Sequence, residues 1–400
     1  MTKDRLHKHG NCGWEQIFVL CLPRSGSTLL RLLLDTHPAI SCPGELYLGR
    51  LAEDLYHSLY YSIGQLLEGD ETERTSWITQ HVRADIEKFM KPYTEAKGKL
   101  IWAEKTPANL AHADLLRRTF PGAAFLCLHR HPLDLIRSGF ESTRFGKLKF
   151  DLWDYQSGCD FCIEQTRALL DFEKANPARC FRLRYEDIVK DATTVLSRAF
   201  DFLGLEPAPT IATAVFSTKH ESGPGDPKAE FASRIYGTSI GKGAEIVSLL
   251  AEVSPSTKKK LEQLIAELGY PPIDLSSSDQ ENWSQAVDSA VFGSPNVASV
   301  EELFQVHFPA KLQQRSGLKG SVKFLVKGSG GGTWTLNFAQ RPVSIRPMNE
   351  EADCTITIRS EDLIKLATGE LNVGECYLQA KLRIAGNEAI AVSLGRALFS

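Results

Sequence analysis

The chain has 400 residues, 42% of them hydrophobic, with 46 Lys+Arg against 49 Asp+Glu and a formal net charge of −3. That length predicts two or three domains, and the lack of a basic excess argues against nucleic acid as a partner. No apolar run reaches the roughly 18 residues of a transmembrane segment, the polar tail 1–14 lacks the apolar core of a signal peptide, and the end Ala397-Leu398-Phe399-Ser400 carries no S-K-L address.

In chain order, Ile17–Leu22 predicts the first strand, ending at Pro23. A tight polar loop follows, and then Leu29–Leu34 with helix spacing. Strand, loop and helix start in that order turn the free N–H groups of the first helical turn into the loop, which favours an anion there. Arg24 adds positive charge, so the loop is expected to hold a phosphate and, with it, a nucleotide. It is not a Walker A loop: Ser27 stands in the lysine position and Cys21 in that of the first glycine. His37, before Pro38, reads as a helix-end residue. After the short run Ala39–Cys42 comes Glu45, expected at the next strand's end beside the phosphate loop.

Residues 50–96 read as helices. Leu100–Ala103, Ala123–Leu128 and Cys180–Leu183 predict further strands, and their alternation with helical patterns predicts an α/β parallel sheet. Ala123–Leu128 runs into the basic pair His129-Arg130, where a P-loop kinase would carry an acidic Mg²⁺ ligand. Residues 217–245, with Gly223-Pro224-Gly225-Asp226-Pro227, read as an irregular loop able to close over a site. Lys258–Leu268 is a helix stopped by Pro271-Pro272.

Residues 273–297 are rich in Ser, Asp and Asn and read as a linker. Beyond it, Leu303, Phe304, Phe308 and Leu312 share one helix face, while Val322/Phe324/Val326, Trp334/Leu336/Phe338 and Ile356/Ile358 alternate as half-buried strands. Gly328-Ser329-Gly330-Gly331-Gly332 leads into a strand and reads as a hairpin turn. Ser360 is placed to cap the helix Glu361–Ala367, with Gly369 near its end. The expected division is a domain at 15–272 and a smaller α+β domain at 298–400. Of nine cysteines, Cys159 and Cys162 form one C-x-x-C, but no second pair or nearby histidine completes a zinc set. Reduced thiols in a cytoplasmic protein are expected.

Three segments carry a family resemblance. Pro23-Arg24-Ser25-Gly26-Ser27-Thr28 resembles the 5′-phosphosulfate loop of sulfotransferases that use 3′-phosphoadenosine 5′-phosphosulfate (PAPS). Leu128–Ser138 is similar to that family's 3′-phosphate segment, an arginine followed eight residues later by a serine at a helix start. Leu183-Arg184-Tyr185-Glu186-Asp187-Ile188-Val189, running into Phe202-Leu203-Gly204-Leu205, is also typical. The likeness spans residues 15–270 and leans toward carbohydrate- and tyrosyl-protein-type enzymes and the sulfotransferase domains of olefin synthases. A second resemblance, over 298–400, is to the sterol carrier protein 2 (SCP2) family. It rests on Glu351–Ile358, Asp362–Asn372 and Lys381–Asn387, and it implies an apolar tunnel for a lipid or acyl chain.

The first resemblance implies a P-loop-like sheet and PAPS as co-substrate, leaving as 3′-phosphoadenosine 5′-phosphate (PAP). Without a Walker B acid, catalysis by positioned cations and no metal is expected. Arg24 is expected at the leaving group, with the amides of Ser25, Gly26, Ser27 and Thr28 on the 5′-phosphate. Lys105 is expected at the sulfonate, Arg130 and Ser138 at the 3′-phosphate, Tyr185 near the adenine and Lys242 as a further 3′-phosphate contact. Glu45 is the expected general base, with His57 and His129 as rivals, and Arg137 is an alternative phosphate ligand. In the smaller domain Lys381 and Glu388 read as surface charges. The expected acceptor is a hydroxyl on a hydrophobic or acyl-bearing molecule, a carrier-protein-tethered chain being one variant. A small-molecule kinase and a lipid-binding protein with an inactive nucleotide half are the alternatives.

Overall fold

The computed structural model describes residues 13–144, 154–221, 235, 239–275, 299–313, 319–338, 344–347, 350–368, 371 and 373–399. The expected linker lies outside these residues from 276 onward, as do most of the loop 217–245 and Gly369. The chain divides into two compact units, one drawn from Met1–Gly225 and Ile240–Val287, the other from Asp226–Ser239 and Asp288–Ser400.

The first unit is an α/β layer structure. Strands β1 (Gln16–Cys21), β2 (Ile40–Ser41), β3 (Ile101–Lys105), β4 (Ala123–His129) and β5 (Cys180–Arg184) form one sheet in the order β2-β3-β1-β4-β5. Every pairing is parallel, with Val19 opposite Lys105 and Leu20 opposite Cys127. All six residues of β1 are buried, as a central strand covered on both faces requires. Phe18 meets Trp102, Phe120 and Phe125 at ring separations of 5.5, 5.3 and 5.8 Å. The chain runs from β1 to β2 and β3 on one side, then crosses to β4 on the other. The carboxyl end of β1 is therefore the switch point where open α/β sheets form a crevice.

The helices are α1 (Ser27–Thr36), α2 (Leu48–Tyr61), α3 (Glu71–Ala96), α4 (Ala113–Thr119), α5 (Pro132–Arg144), α6 (Tyr155–Ala175), α7 (Tyr185–Leu203), α8 (Ile211–Ala214) and α9 (Pro255–Glu267). The helical stretch 50–96 resolves into α2, a 3₁₀ turn and α3, which opens with a reciprocal capping box between Asp70 and Glu73. Helix α9 starts three residues before the expected Lys258. Ser254 accepts from the Thr257 N–H and Pro255 takes the first helical position, where its missing N–H costs nothing.

In the second unit β6 (Ser321–Lys327), β7 (Gly332–Asn337), β8 (Ser344–Arg346), β9 (Cys354–Arg359) and β10 (Leu382–Gly386) lie in the order β10-β9-β6-β7-β8. Among the described strands of this sheet, β6 and β9 pair in parallel and the other neighbours antiparallel. The glycine run is a hairpin turn: the Gly331 N–H donates to the Gly328 carbonyl, and a Cβ on Gly331 would lie 2.3 Å from the Val326 carbonyl oxygen. The helical stretch Val300–Glu302 continues through a π turn at Leu303–His307 into Phe308–Gln313. Leu303, Phe304, Phe308 and Leu312 are all buried, and Phe304 stacks on Trp334 at 4.4 Å.

Phe324 is buried at the centre of this second core, 5.2 Å from the Phe304 ring and 6.3 Å from that of Phe308. Phe324→Ala should cost about 3–5 kcal/mol. Calorimetry should show it as a lowered transition for the second unit, and a loss below about 1 kcal/mol would contradict this packing.

Candidate functional site

The residues expected to act together arise at the carboxyl ends of different strands. After β1 the chain turns through Leu22–Gly26 into α1. Gly26 stands before the helix in the left-handed region (φ 88°), no side chain caps the helix, and no acidic residue occupies its first turn. The amides of that turn keep their partial positive charge for an anion. The Ser25 amide, expected to face the anion too, instead closes a turn onto the Leu22 carbonyl at 3.3 Å. The Ser25 hydroxyl is buried without a hydrogen-bond partner. Ser27 is buried and Thr28 half-buried.

Arg24 itself has φ 68°, a conformation that a bulky residue adopts only when its surroundings impose it. Those surroundings form a cycle. The Arg130 Nη1 donates to the Arg24 carbonyl at 2.7 Å, and the Arg24 Nε donates to the Ser138 hydroxyl at 3.1 Å. The Arg130 guanidinium lies 4.7 Å over the Tyr185 ring. That ring covers Gly26 so closely that a Cβ there would come within 2.1 Å of Tyr185 Cδ2. Ser138 lies in the second turn of α5, one turn further in than the sequence suggested. Arg137 points to Glu245, its Nε donating at 2.7 Å.

Lys105 closes β3 and is buried, and its ammonium pairs with the Glu45 carboxylate. Lys105 also borders the phosphate loop. Burial pushes the Cys21 thiol up, and the Lys105 charge opposes that shift. Glu45 sits on the link between β2 and α2, which its neighbours hold from behind. The buried Glu104 carboxylate accepts from the Leu46 N–H at 3.1 Å and from Thr106 and Asn109. Thr106 in turn accepts from the Tyr47 N–H at 3.1 Å, and Asn109 from the Gly49 N–H at 2.9 Å. Burial raises the Glu104 pKa, with these hydrogen bonds and Lys105 opposing it. Sequence reasoning singled out Lys105 and passed over Glu104, although a carboxylate inside an apolar strand is itself a signal that something must satisfy it.

Lys242 opens a 3₁₀ turn, Lys242–Ile246, pressed against the start of α5, where Gly243 meets Leu133. The rival bases lie elsewhere. His129 is buried, with Nε2 2.6 Å from Glu173, and His57 is exposed on α2 beside Tyr61. His37 caps the end of α1 and bonds the Glu206 carbonyl. Burial, reinforced by Arg184 and Arg130, brings His131 down to about 3 and keeps it neutral. An apolar cleft of about 340 Å³, counted out to its open mouth, borders Arg24, lined by Leu22, Pro23, Leu135, Ile136 and Phe161 among others. Among the described residues no group of three or more His, Cys, Asp or Glu side chains converges as a metal set.

Within the second unit an apolar cleft of about 420 Å³, counted out to its mouth, is lined by residues including Phe324, Ile356, Leu366, Val373, Leu394 and Phe399. Lys381 lies 3.9 Å from Asp362, and Glu388 is exposed at the start of the last helix. No helix among the described residues is long and apolar enough to cross a membrane.

Residues 16–209 match the model of the sulfotransferase family, and residues 300–399 that of the SCP-2 sterol transfer family. A Caenorhabditis briggsae relative named for protein-tyrosine sulfotransferase is 26% identical over 200 residues, 48% of this chain and 66% of its own length. Sterol carrier protein 2 of Rattus norvegicus is 39% identical over 79 residues, 19% of this chain and 14% of its own. The chain thus spans less than two thirds of each of these relatives. The solved sulfotransferase domain of the Synechococcus PCC 7002 olefin synthase is 23% identical, covers 65% of this chain and 96% of its own, and has a TM-score of 0.48. Two family models thus match this chain, sulfotransferase over residues 16–209 and SCP-2 over residues 300–399.

The seating of Tyr185 on the loop is open to test. Gly26→Ala combines a positive φ with a clash against the ring and should cost about 1–3 kcal/mol. In a Tyr185→Ala background the same change should cost clearly less, the backbone part alone. Denaturant unfolding of the four variants measures both, and an equal cost in either background would show that the ring does not cover the glycine.

Proposed function

We propose that this chain transfers a sulfuryl group from PAPS to a hydroxyl of an apolar or acyl-bearing acceptor, and that its second unit binds a lipid or acyl chain. The observation that carries the reading is the ion pair between buried Lys105 and half-buried Glu45, bordering a phosphate loop whose helix start is uncapped. A buried ion pair is weak evidence for stability, because desolvation offsets the attraction. A cation and a base held together at the switch point of the sheet instead suit a reaction in which one group gains negative charge and another loses a proton.

The residues present fit the donor. The amides of the first turn of α1 and the unpartnered Ser25 hydroxyl suit a 5′-phosphate, and Arg130, Ser138 and Lys242 are the residues assigned to a 3′-phosphate. Tyr185, whose ring covers Gly26 beside this loop, is assigned to the adenine side. The donor supplies an activated sulfuryl group. Arg24 and Lys105 stabilise the negative charge that develops on the departing side, and Glu45 takes the proton of the acceptor hydroxyl. The cleft beside Arg24 offers Leu135, Ile136 and Phe161 to an apolar acceptor, and a lipid-binding unit in the same chain raises that acceptor's local concentration. A tethered acyl chain is one acceptor of this kind. Cys21, Cys42, Cys127, Cys159, Cys162, Cys180 and Cys354 form no disulfide, which fits a reducing cytoplasm.

Calorimetry with PAP tests the foundation: an absence of binding to the wild-type chain would sink the reading. Arg24→Ala and Lys105→Ala should each lower kcat/KM by about 10²–10³, the size seen for oxyanion donors. Glu45→Gln should lower kcat by about 10²–10⁴ while PAP affinity is retained. Undiminished turnover in the glutamine variant would remove Glu45 from the base role.

A further inference from the structure

Asp134 is a buried acid in a region that the reading above assigns to a phosphate. It is the third residue of α5, four positions after Arg130 and four before Ser138. A carboxylate there opposes a bound anion, so its presence needs another explanation. Its partners supply one. Asp134 Oδ2 accepts from the Gly241 N–H at 2.9 Å and Oδ1 from the Gly243 N–H at 2.6 Å. The residue between those two amides is Lys242.

The grip leaves little freedom. Gly241 adopts φ 74°, which glycine reaches at no steric cost. A Cβ on Gly243 would lie 2.4 Å from Leu133 Cβ and 2.9 Å from the Asp134 backbone nitrogen. The segment therefore touches the first turn of α5 backbone to backbone, and both carboxylate oxygens are committed to it. A second stitch, Arg137 to Glu245, is half-exposed on the acid side and adds little by itself. Burial pushes the Asp134 carboxyl up, while the Arg130 charge and the two glycine amides pull it down.

We propose that Asp134 is a positioning residue that holds Lys242 at the 3′-phosphate end of the nucleotide site. Selection for a 3′-phosphorylated adenosine nucleotide then depends on a carboxylate that does not touch the nucleotide. The inference rests on the PAPS reading and extends it to the choice between nucleotides with and without a 3′-phosphate.

The experiment compares PAP with adenosine 5′-phosphate, which lacks the 3′-phosphate, by calorimetry and competition on the full chain. Asp134→Asn keeps the side chain's shape but replaces one accepting oxygen with a donor. It should weaken PAP by about tenfold or more, the loss of one charge-assisted contact, and leave adenosine 5′-phosphate within about twofold. Lys242→Met should lose the same selectivity, the double variant should lose no more than either single one, and Asp134→Glu should recover part of it. Equal weakening of both nucleotides in Asp134→Asn would mean a purely structural role and overturn the proposal. If Asp134→Asn does not fold, Lys242→Met and Asp134→Glu decide: undiminished selectivity in the former, or selectivity in the latter no better than in Lys242→Met, overturns it. A wild-type chain that binds neither nucleotide is a different result, which removes the PAPS reading itself.

Discussion

Carboxylates that are buried (Asp35, Glu104, Asp134) or half-buried (Glu186) accept backbone N–H groups and hold the loops at the carboxyl edge of the first sheet. Asp35 accepts from the Cys42 amide at 3.1 Å, Glu104 from Leu46, Glu186 from His131 at 2.9 Å, and Asp134 from Gly241 and Gly243. A carboxylate taken out of water is costly unless its lone pairs are filled. Amides fill them and fix the backbone that supplies them, although Lys99 and His220 share the Asp35 carboxylate as well. The loops so held carry Glu45, Arg130 and Lys242. Displacing one of these acids would therefore move a candidate functional side chain that it never contacts.

The contacts that orient the cations include neutral groups as well. Arg24 reaches the Ser138 hydroxyl, Arg130 the Arg24 carbonyl and the face of Tyr185. Hydrogen bonds of this kind set direction without cancelling charge, and direction is what electrostatic stabilisation of a developing anion requires. Lys105 differs in having an acid, Glu45, as its partner. The two halves of the proposed chemistry thus meet in one contact, at the strand adjacent to the phosphate loop.

The second unit follows a different rule. Its interior is held by rings: Phe304 stacks on Trp334, and Phe308 meets Phe399 edge-on at 5.8 Å. Its cleft is apolar throughout the lining named above, so what it offers is shape and hydrophobic area, not charge. Period-2 alternation marked β6, β7 and β9. It passed over β8, whose three residues are too few to show a period, and β10, whose apolar face is only Leu382 and half-buried Ile384.

The order of short apolar runs and helical patterns determined the parallel sheet, because strands covered on both faces read as continuous apolar stretches. The phosphate loop was legible from one local arrangement, strand then glycine loop then helix start, whose electrostatics need no distant partner. What lay beyond the sequence was which distant side chains meet. Tyr185 on Gly26, Glu104 on Leu46 and Asp134 on Gly241 and Gly243 join residues 58 to 159 positions apart. Local patterning constrains a residue's neighbours along the chain and its face of an element. Only the packed sheet, by bringing the ends of its strands to one edge, decided which buried acid would find which amide.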